Sequence, residues 1–183
     1  MRTAVAILGL IAAAVFAAYP PARHSLQGWV SHVNAQIHKA VSSRLTEAQP
    51  TQVSGASASP NDPALAAFDH QLPTYWLAKA GTASPPACVV TFNRKQVFQQ
   101  LIVHSGDQGN YVAHGRPRVL RLDFSNGKSS LFTLGDTPNA QTFGISKAVG
   151  VDKVTITVED VYPATGSSTK DVAIAEIEFF AAL

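Results

Sequence analysis

Between Ser105 and Arg116 the chain reads Ser-Gly-Asp-Gln-Gly-Asn-Tyr-Val-Ala-His-Gly-Arg, which places Asp107, Asn110, Tyr111, His114 and Arg116 in one short segment. Such a set can hold a sugar. An aromatic face stacks on the C–H surface of a pyranose while carboxylate, amide, imidazole and guanidinium groups fix its hydroxyls. The competing reading is a solvated loop whose Gly and Asn residues serve turn geometry. Catalytic chemistries fail on residue type and spacing. The chain has no Gly-x-Ser-x-Gly elbow, no glycine-rich phosphate loop before a helix and no His-Glu-x-x-His. Glu176 and Glu178 share a strand face by their even spacing, but no cleft is implied around them. Cys88 is the single cysteine, so an intrachain disulfide and a cysteine-rich zinc site are excluded. Its apolar run, Ala87-Cys88-Val89-Val90, points to a buried thiol. The expectation is a binding protein and not an enzyme.

The elements that must position these residues follow a period of two. Leu120, Leu122 and Phe124 alternate with Arg121 and Asp123, and Ser125-Asn126-Gly127 then supplies a hairpin turn before Ser129–Leu134. Val154, Ile156 and Val158 repeat the pattern. Further strands are expected at Ala87–Phe92, Val97–His104, Gln141–Ile145 and Val172–Phe180, and no stretch beyond residue 80 carries a helical stripe. Seven or eight strands in about 130 residues imply an all-β antiparallel sandwich. The loop 105–116 lies between two of these strands, where sandwiches commonly carry binding groups. Trp76 is expected in the core, with Tyr75 its more exposed neighbour, and Tyr162 opens a second loop.

The N-terminal part is of another kind. Ala4–Ala18 has no charge, and Met1-Arg2-Thr3 precedes it, so residues 1–22 are expected to be a signal-anchor or a signal peptide. Trp29, Val33, Ile37, Val41 and Leu45 recur every four positions, as on one stripe of an amphipathic helix. Residues 23–50 are accordingly expected to be a stalk and linker, and 51–183 the folded domain. The protein is then membrane-anchored with an extracytoplasmic domain, or secreted if the leader is cleaved.

The segment Ala67-Phe68-Asp69-His70-Gln71-Leu72-Pro73-Thr74-Tyr75-Trp76 resembles the Ala-x-Asp-Gly-x-x-x-Thr-x-Trp signature of discoidin-like (coagulation factor V/VIII C-type) domains. The ending Ile174-Ala175-Glu176-Ile177-Glu178-Phe179-Phe180 resembles that family's closing strand. Gly115–Val119, Phe124–Gly127, Leu134-x-Asp136, Gln141 and Val161-Tyr162-Pro163 are similar to a bacterial subgroup. That subgroup is named for the non-catalytic glycan-binding and translocation domain of a streptococcal NAD glycohydrolase toxin. The resemblance implies a galactose-binding-like jelly roll that binds glycans through loops at one end. It also implies a structural calcium ion held by Asp69, Thr74 and Glu176. His70 replaces the usual Gly and Gln71 a frequent acidic residue, which removes oxygen ligands and charge that calcium favours.

Charge narrows the partner. The whole chain carries 14 basic and 12 acidic residues, a net +2. Residues 1–50 hold Arg2, Arg23, Lys39 and Arg44 against Glu47, so the excess belongs to the leader and stalk and the domain is close to neutral. Nucleic acid is therefore not expected as a partner. A neutral, polar glycan of the cell envelope is expected, with an envelope protein bound by the same loops as the alternative.

Overall fold

Leu120, Leu122 and Phe124 are buried and Arg121 and Asp123 are not, so the alternation read in the sequence is the alternation of the sheet. The computed structural model describes residues 45–80, 85–165 and 170–183. The expected apolar segment and the expected amphipathic helix lie outside these residues except for Leu45, which opens a strand and not a helical turn. Among the described residues no helix is long and apolar enough to cross a membrane.

Eight strands follow in chain order: β1 (Leu45–Glu47), β2 (Gln52–Gly55), β3 (Trp76–Ala78), β4 (Ala87–Ser105), β5 (Arg116–Phe124), β6 (Ser129–Thr133), β7 (Gln141–Tyr162) and β8 (Val172–Ala182). A 3-10 turn, Ala64–Phe68, sits between β2 and β3. The strand order is β1-β8-β4-β7-β5-β6, with β2 also on β4 and β3 also on β8. Every pairing of named strands is antiparallel.

The sheet folds over through its two long strands. The first part of β4 pairs with β2 and with the second part of β7, while its later part pairs with β8 and with the beginning of β7. Register shifts between Thr91 and Gln96 mark the bend, as bulges do where a strand changes layer. The separate strands expected at Ala87–Phe92 and Val97–His104 are thus one strand, as are those around Gln141–Ile145 and Val154–Val158.

The fold also starts earlier than residue 51. Leu45 pairs with Ala182, so the stretch expected as stalk and linker supplies one edge strand, and Gln52, at the start of the expected domain, pairs with Thr91 in a second. Between the layers, Phe92, Phe98 and Phe179 meet at centroid distances of 4.7–5.6 Å. Trp76 is fully buried and its indole N–H donates to Ala56 O at 3.1 Å. Cys88 is buried, and burial pushes its thiol pKa up.

The topology gives the sandwich two distinct ends. One carries the segments 105–116, 134–141 and 162–165, and is called the loop end here. The other carries the β5–β6 hairpin, the bends of β4 and β7, and the start of β1.

Candidate functional site

Arg116 opens β5 at the loop end, and its side chain is buried with only 5% of its surface exposed. Its guanidinium binds Asp136 twice, Nε to Oδ1 at 3.0 Å and Nη2 to Oδ2 at 2.8 Å. Nη1 donates to His114 O at 3.2 Å and to Pro163 O at 2.7 Å. One side chain therefore ties together three loops. The Tyr111 hydroxyl donates to the same Asp136 oxygen at 2.9 Å, and its ring lies under the guanidinium, 5.2 Å from centroid to Cζ. Arg116 and Tyr111 hold the Asp136 pKa below its ordinary value, while burial first and Asp136 second push Tyr111 up to about 12.

Tyr111 reaches this position because residue 106 is glycine. Gly106 has φ +78°, and a Cβ built there would meet the Tyr111 ring at 2.6 Å. Gly106→Ala is expected to destabilise the domain by about 2 kcal/mol, from left-handed strain plus the clash. A denaturant titration checks the loss. Weakened quenching between Tyr111 and its neighbours, or a shifted Tyr111 ring resonance, would show that the ring has moved.

The other expected binding residues face elsewhere. His114 leaves its carbonyl with Arg116 but turns its ring to Tyr75, with centroids 5.7 Å apart and a tilt of 42°. Its Nδ1 is buried without a hydrogen-bond partner. Burial, and then the charges of Asp62 and Asp107, raise the Tyr75 pKa. Asp107 accepts from Gly109 N at 2.8 Å, a loop brace that leaves its second oxygen without a bond to the described residues. Asn110 is exposed. The loop end thus divides into a closed brace, Tyr111–Arg116–Asp136, and residues outside it: Tyr75 and His114 in ring contact, Asp107 close enough for its charge to act on Tyr75, and the exposed Asn110. Sequence reading missed Asp136 as a site residue, since it lies 20 positions from Arg116 and no local pattern joins them.

Arg118 and Arg121 are spent on the sheet face. Arg118 pairs with Asp160, and Arg121 with Asp123 at 2.9 Å and Glu159 at 2.7 Å. The Tyr162 hydroxyl donates to Leu134 O at 2.9 Å and so fastens two loops. A groove of 490 Å³ behind the brace, between Pro86, Gly115, Val161, Pro163 and Val172, is mostly apolar.

The residues tied to a cation lie along the side of β8. Thr74 Oγ1 stands 2.9 Å from both Asp69 carboxylate oxygens, 2.7 Å from Gln71 O and 3.5 Å from Ala66 O. Glu176 is 2% exposed and neither of its oxygens has a hydrogen-bond partner. An oxygen cluster beside an orphaned buried carboxylate fits a hard cation, which prefers oxygen ligands. Among the described residues no group of three or more His, Cys, Asp or Glu side chains forms a metal cluster. Neutral oxygens would therefore supply much of the shell. Burial pushes the Glu176 pKa up to about 7, His70 pulling it down and Asp69 and Glu178 adding to the rise. His70 stands at φ 60°, the left-handed conformation natural to the glycine it replaces, and its Nε2 lies 3.2 Å from Glu47 Oε1.

The family model described as the NAD glycohydrolase translocation F5/8 type C domain matches residues 45–180. The chain belongs to this family. No curated protein sequence matches it. Solved structures share its fold. A family 32 carbohydrate-binding module from Clostridium perfringens NanJ, in complex with galactose, is 19% identical with a TM-score of 0.56. The match covers 74% of this chain and 98% of that one. An F5/8 type C domain from Bacteroides fragilis gives 12% identity and a TM-score of 0.58 over 76% and 97% of the two chains. The family 32 module of AlyQ, in complex with 4,5-unsaturated mannuronic acid, gives 14% and 0.55 over 75% and 99%. At these identities the likeness is one of fold. The F5/8 type C sandwich here begins at Leu45, where both the pairing of β1 and the family match begin.

Proposed function

We propose that this F5/8 type C domain is a non-enzymatic glycan-binding module that meets its ligand at the loop end. The observation that carries the reading is the set Tyr75, Asp107, Asn110 and His114 beside a brace whose own polar atoms are already bonded. Tyr75 and His114 offer ring faces for a pyranose, and Asp107 and Asn110 offer acceptors and donors for hydroxyls. Arg116 and Tyr111 act as positioning residues beneath them. That solved relatives of the same fold were captured with galactose and with an unsaturated mannuronic acid supports the ligand class. Affinity is modest, with a dissociation constant on the order of 1 mM per site, because a shallow sugar site exchanges water hydrogen bonds for protein ones at little gain.

Asp69, Thr74 and Glu176 would hold a structural calcium ion beside β8, with the carbonyls of Ala66 and Gln71 as neighbours. The ion would neutralise Glu176 and stiffen the loop that carries Tyr75. The apolar N-terminal segment would tether the domain at the outer side of a bacterial membrane, or leave it secreted after cleavage.

A glycan array followed by calorimetry on the protein, with and without calcium, tests the reading. Binding is expected for at least one neutral envelope sugar, and Asn110→Ala/His114→Ala lowers it at least about tenfold with the fold unchanged. No sugar bound under either condition, with an envelope protein recovered by membrane pull-down instead, would transfer the loop end to protein recognition.

A further inference from the structure

The β5–β6 hairpin turns on Ser125-Asn126-Gly127, and this is the one place in the chain where glycine follows asparagine. That dipeptide carries a chemistry of its own. Glycine has no side chain to shield its backbone nitrogen, so the nitrogen can reach the carboxamide carbon of the residue before it. The Gly127 nitrogen gives up its proton to water and bonds to Asn126 Cγ. The Cγ–Nδ2 bond then breaks, ammonia leaves, and a five-membered imide remains. Water adds to either imide carbonyl and reopens the ring, which yields aspartate or an isoaspartate whose main chain runs through the side-chain carbon. The net change is amide plus water to carboxylate plus ammonium, and it needs no oxidant or reductant.

Solvent access does not restrain this reaction, since Ser125, Asn126, Gly127 and Lys128 are all exposed. Hydrogen bonding does restrain it. Asn126 Nδ2 donates to Lys147 O at 2.9 Å and to Val149 O at 3.0 Å, Oδ1 accepts from Lys128 N at 3.0 Å, and Gly127 N donates to Phe124 O at 2.9 Å. The attacking nitrogen therefore has its proton engaged inside the turn, and the carboxamide is tied at both of its polar atoms. Gly127 stands at φ +80°, the left-handed residue that closes a three-residue hairpin loop, so the backbone is held in one conformation. Ser125 adds a tie beside it: Oγ donates to Asp152 Oδ1 at 2.8 Å and accepts from Asp152 N at 3.2 Å. Ring closure requires the hairpin to come away from β7.

We propose that Asn126–Gly127 is a deamidation site gated by the fold, closed while the hairpin is fastened to the bend of β7 and open once that fastening is released. The product does not fit back. A carboxylate has no N–H, so Lys147 O and Val149 O lose their donor and face an anion. Isoaspartate also adds a methylene to the main chain inside a tight turn. The change falls on β6, which among the described strands pairs with β5 alone, from Ser129 opposite Asp123 beside the turn to Thr133 opposite Val119. Phe132, buried from β6 with its ring 5.4 Å from that of Phe143, is then held less firmly. A single opening of the hairpin is thereby made permanent at the sheet edge.

The test incubates the full chain at neutral pH beside the peptide Phe-Ser-Asn-Gly-Lys-Ser, which has the same local sequence and no β7 to bind. Conversion is read by mass spectrometry of digests, and isoaspartate by enzymatic methylation. The folded chain is expected to convert at least about 30-fold more slowly than the peptide, and the chain unfolded in urea at the peptide's rate. Ser125→Ala, which removes the tie to Asp152, speeds conversion of the folded chain about threefold or more. Asn126→Asp, which carries the product's charge from the start, lowers the unfolding midpoint by about 3 °C or more and speeds amide exchange in β6 while β8 keeps its protection. Equal rates in the folded chain and the peptide would overturn the gate, and no conversion in the unfolded chain would overturn the site. An Asn126→Asp variant with unchanged melting and unchanged β6 exchange would overturn the structural consequence.

Discussion

Exchanging Arg116 for methionine lowers the stability of the domain by about 2–3 kcal/mol and weakens ligand binding at the loop end. Breaking a buried ion pair by removing one partner costs about 3–5 kcal/mol. The lower figure applies because the Asp136 side chain keeps 39% of its surface in water and can be rehydrated. The carbonyls of His114 and Pro163 lose their donor as well. Thermal unfolding should move down by roughly 8 °C for a domain of this length. Lysine at 116 restores charge without the planar fork, so it recovers about half the loss or less. Combined with Asp136→Asn, the two losses should fall short of their sum by about 1 kcal/mol or more, as expected for groups in direct contact. Additive losses would mean that the brace is not a unit and that the three loops are held by other means.

The second large effect belongs to Glu176. In the presence of a chelator its burial makes the domain less stable as pH rises, by about 3 kcal/mol in all. The folded carboxyl has its pKa raised from the ordinary 4.5 to about 7. A raised acid keeps its proton longer folded than unfolded, so its contribution is complete below pH 4.5 and is lost as pH climbs through 7. Other carboxylates add slopes of their own, but the difference between the wild type and Glu176→Gln isolates this one. The glutamine variant should lack the decline and exceed the wild type in stability at pH 8. Calcium should reverse the decline in the wild type and leave the variant unmoved, because a cation stabilises the form that burial disfavours. Chemical unfolding at four pH values, with calcium and with chelator, separates the two statements. A flat difference curve sinks the burial argument, and a decline that calcium does not touch sinks the cation alone.

Strand existence was legible wherever one face meets the core and the other meets solvent. Leu120–Phe124 and Val154–Val158 alternate because β5 and β7 have such faces. Edge strands were not legible, since β1 and β2 are short and rich in Thr, Gln and Ser, and their pairing depends on partners 33 or more positions away. Even spacing paired Glu176 with Glu178, but its link to Asp69 and Thr74 came only through a family likeness, because Val172–Ile177 is buried on both faces and alternation says nothing there. At the loop end, residue types identified the segment but not its internal division. Arg116 and Tyr111 are consumed by Asp136, a partner set by tertiary packing, and Tyr75 arrives from a different element.

The place of β8 has a consequence in time. This strand is the most deeply enclosed of the sheet, flanked by β1 and β3 on one edge and by β4 on the other, and it is made last. Until Val172–Ala182 has left the ribosome, the later half of β4 lacks its β8 neighbour, Trp76–Ala78 has no strand to pair with, and Leu45 waits for residue 182. The nascent chain therefore cannot acquire this fold piecemeal from its beginning. The sheet stays open at the β8 position, with the apolar side chains that Val172–Ala182 covers still exposed, until synthesis of the domain is complete.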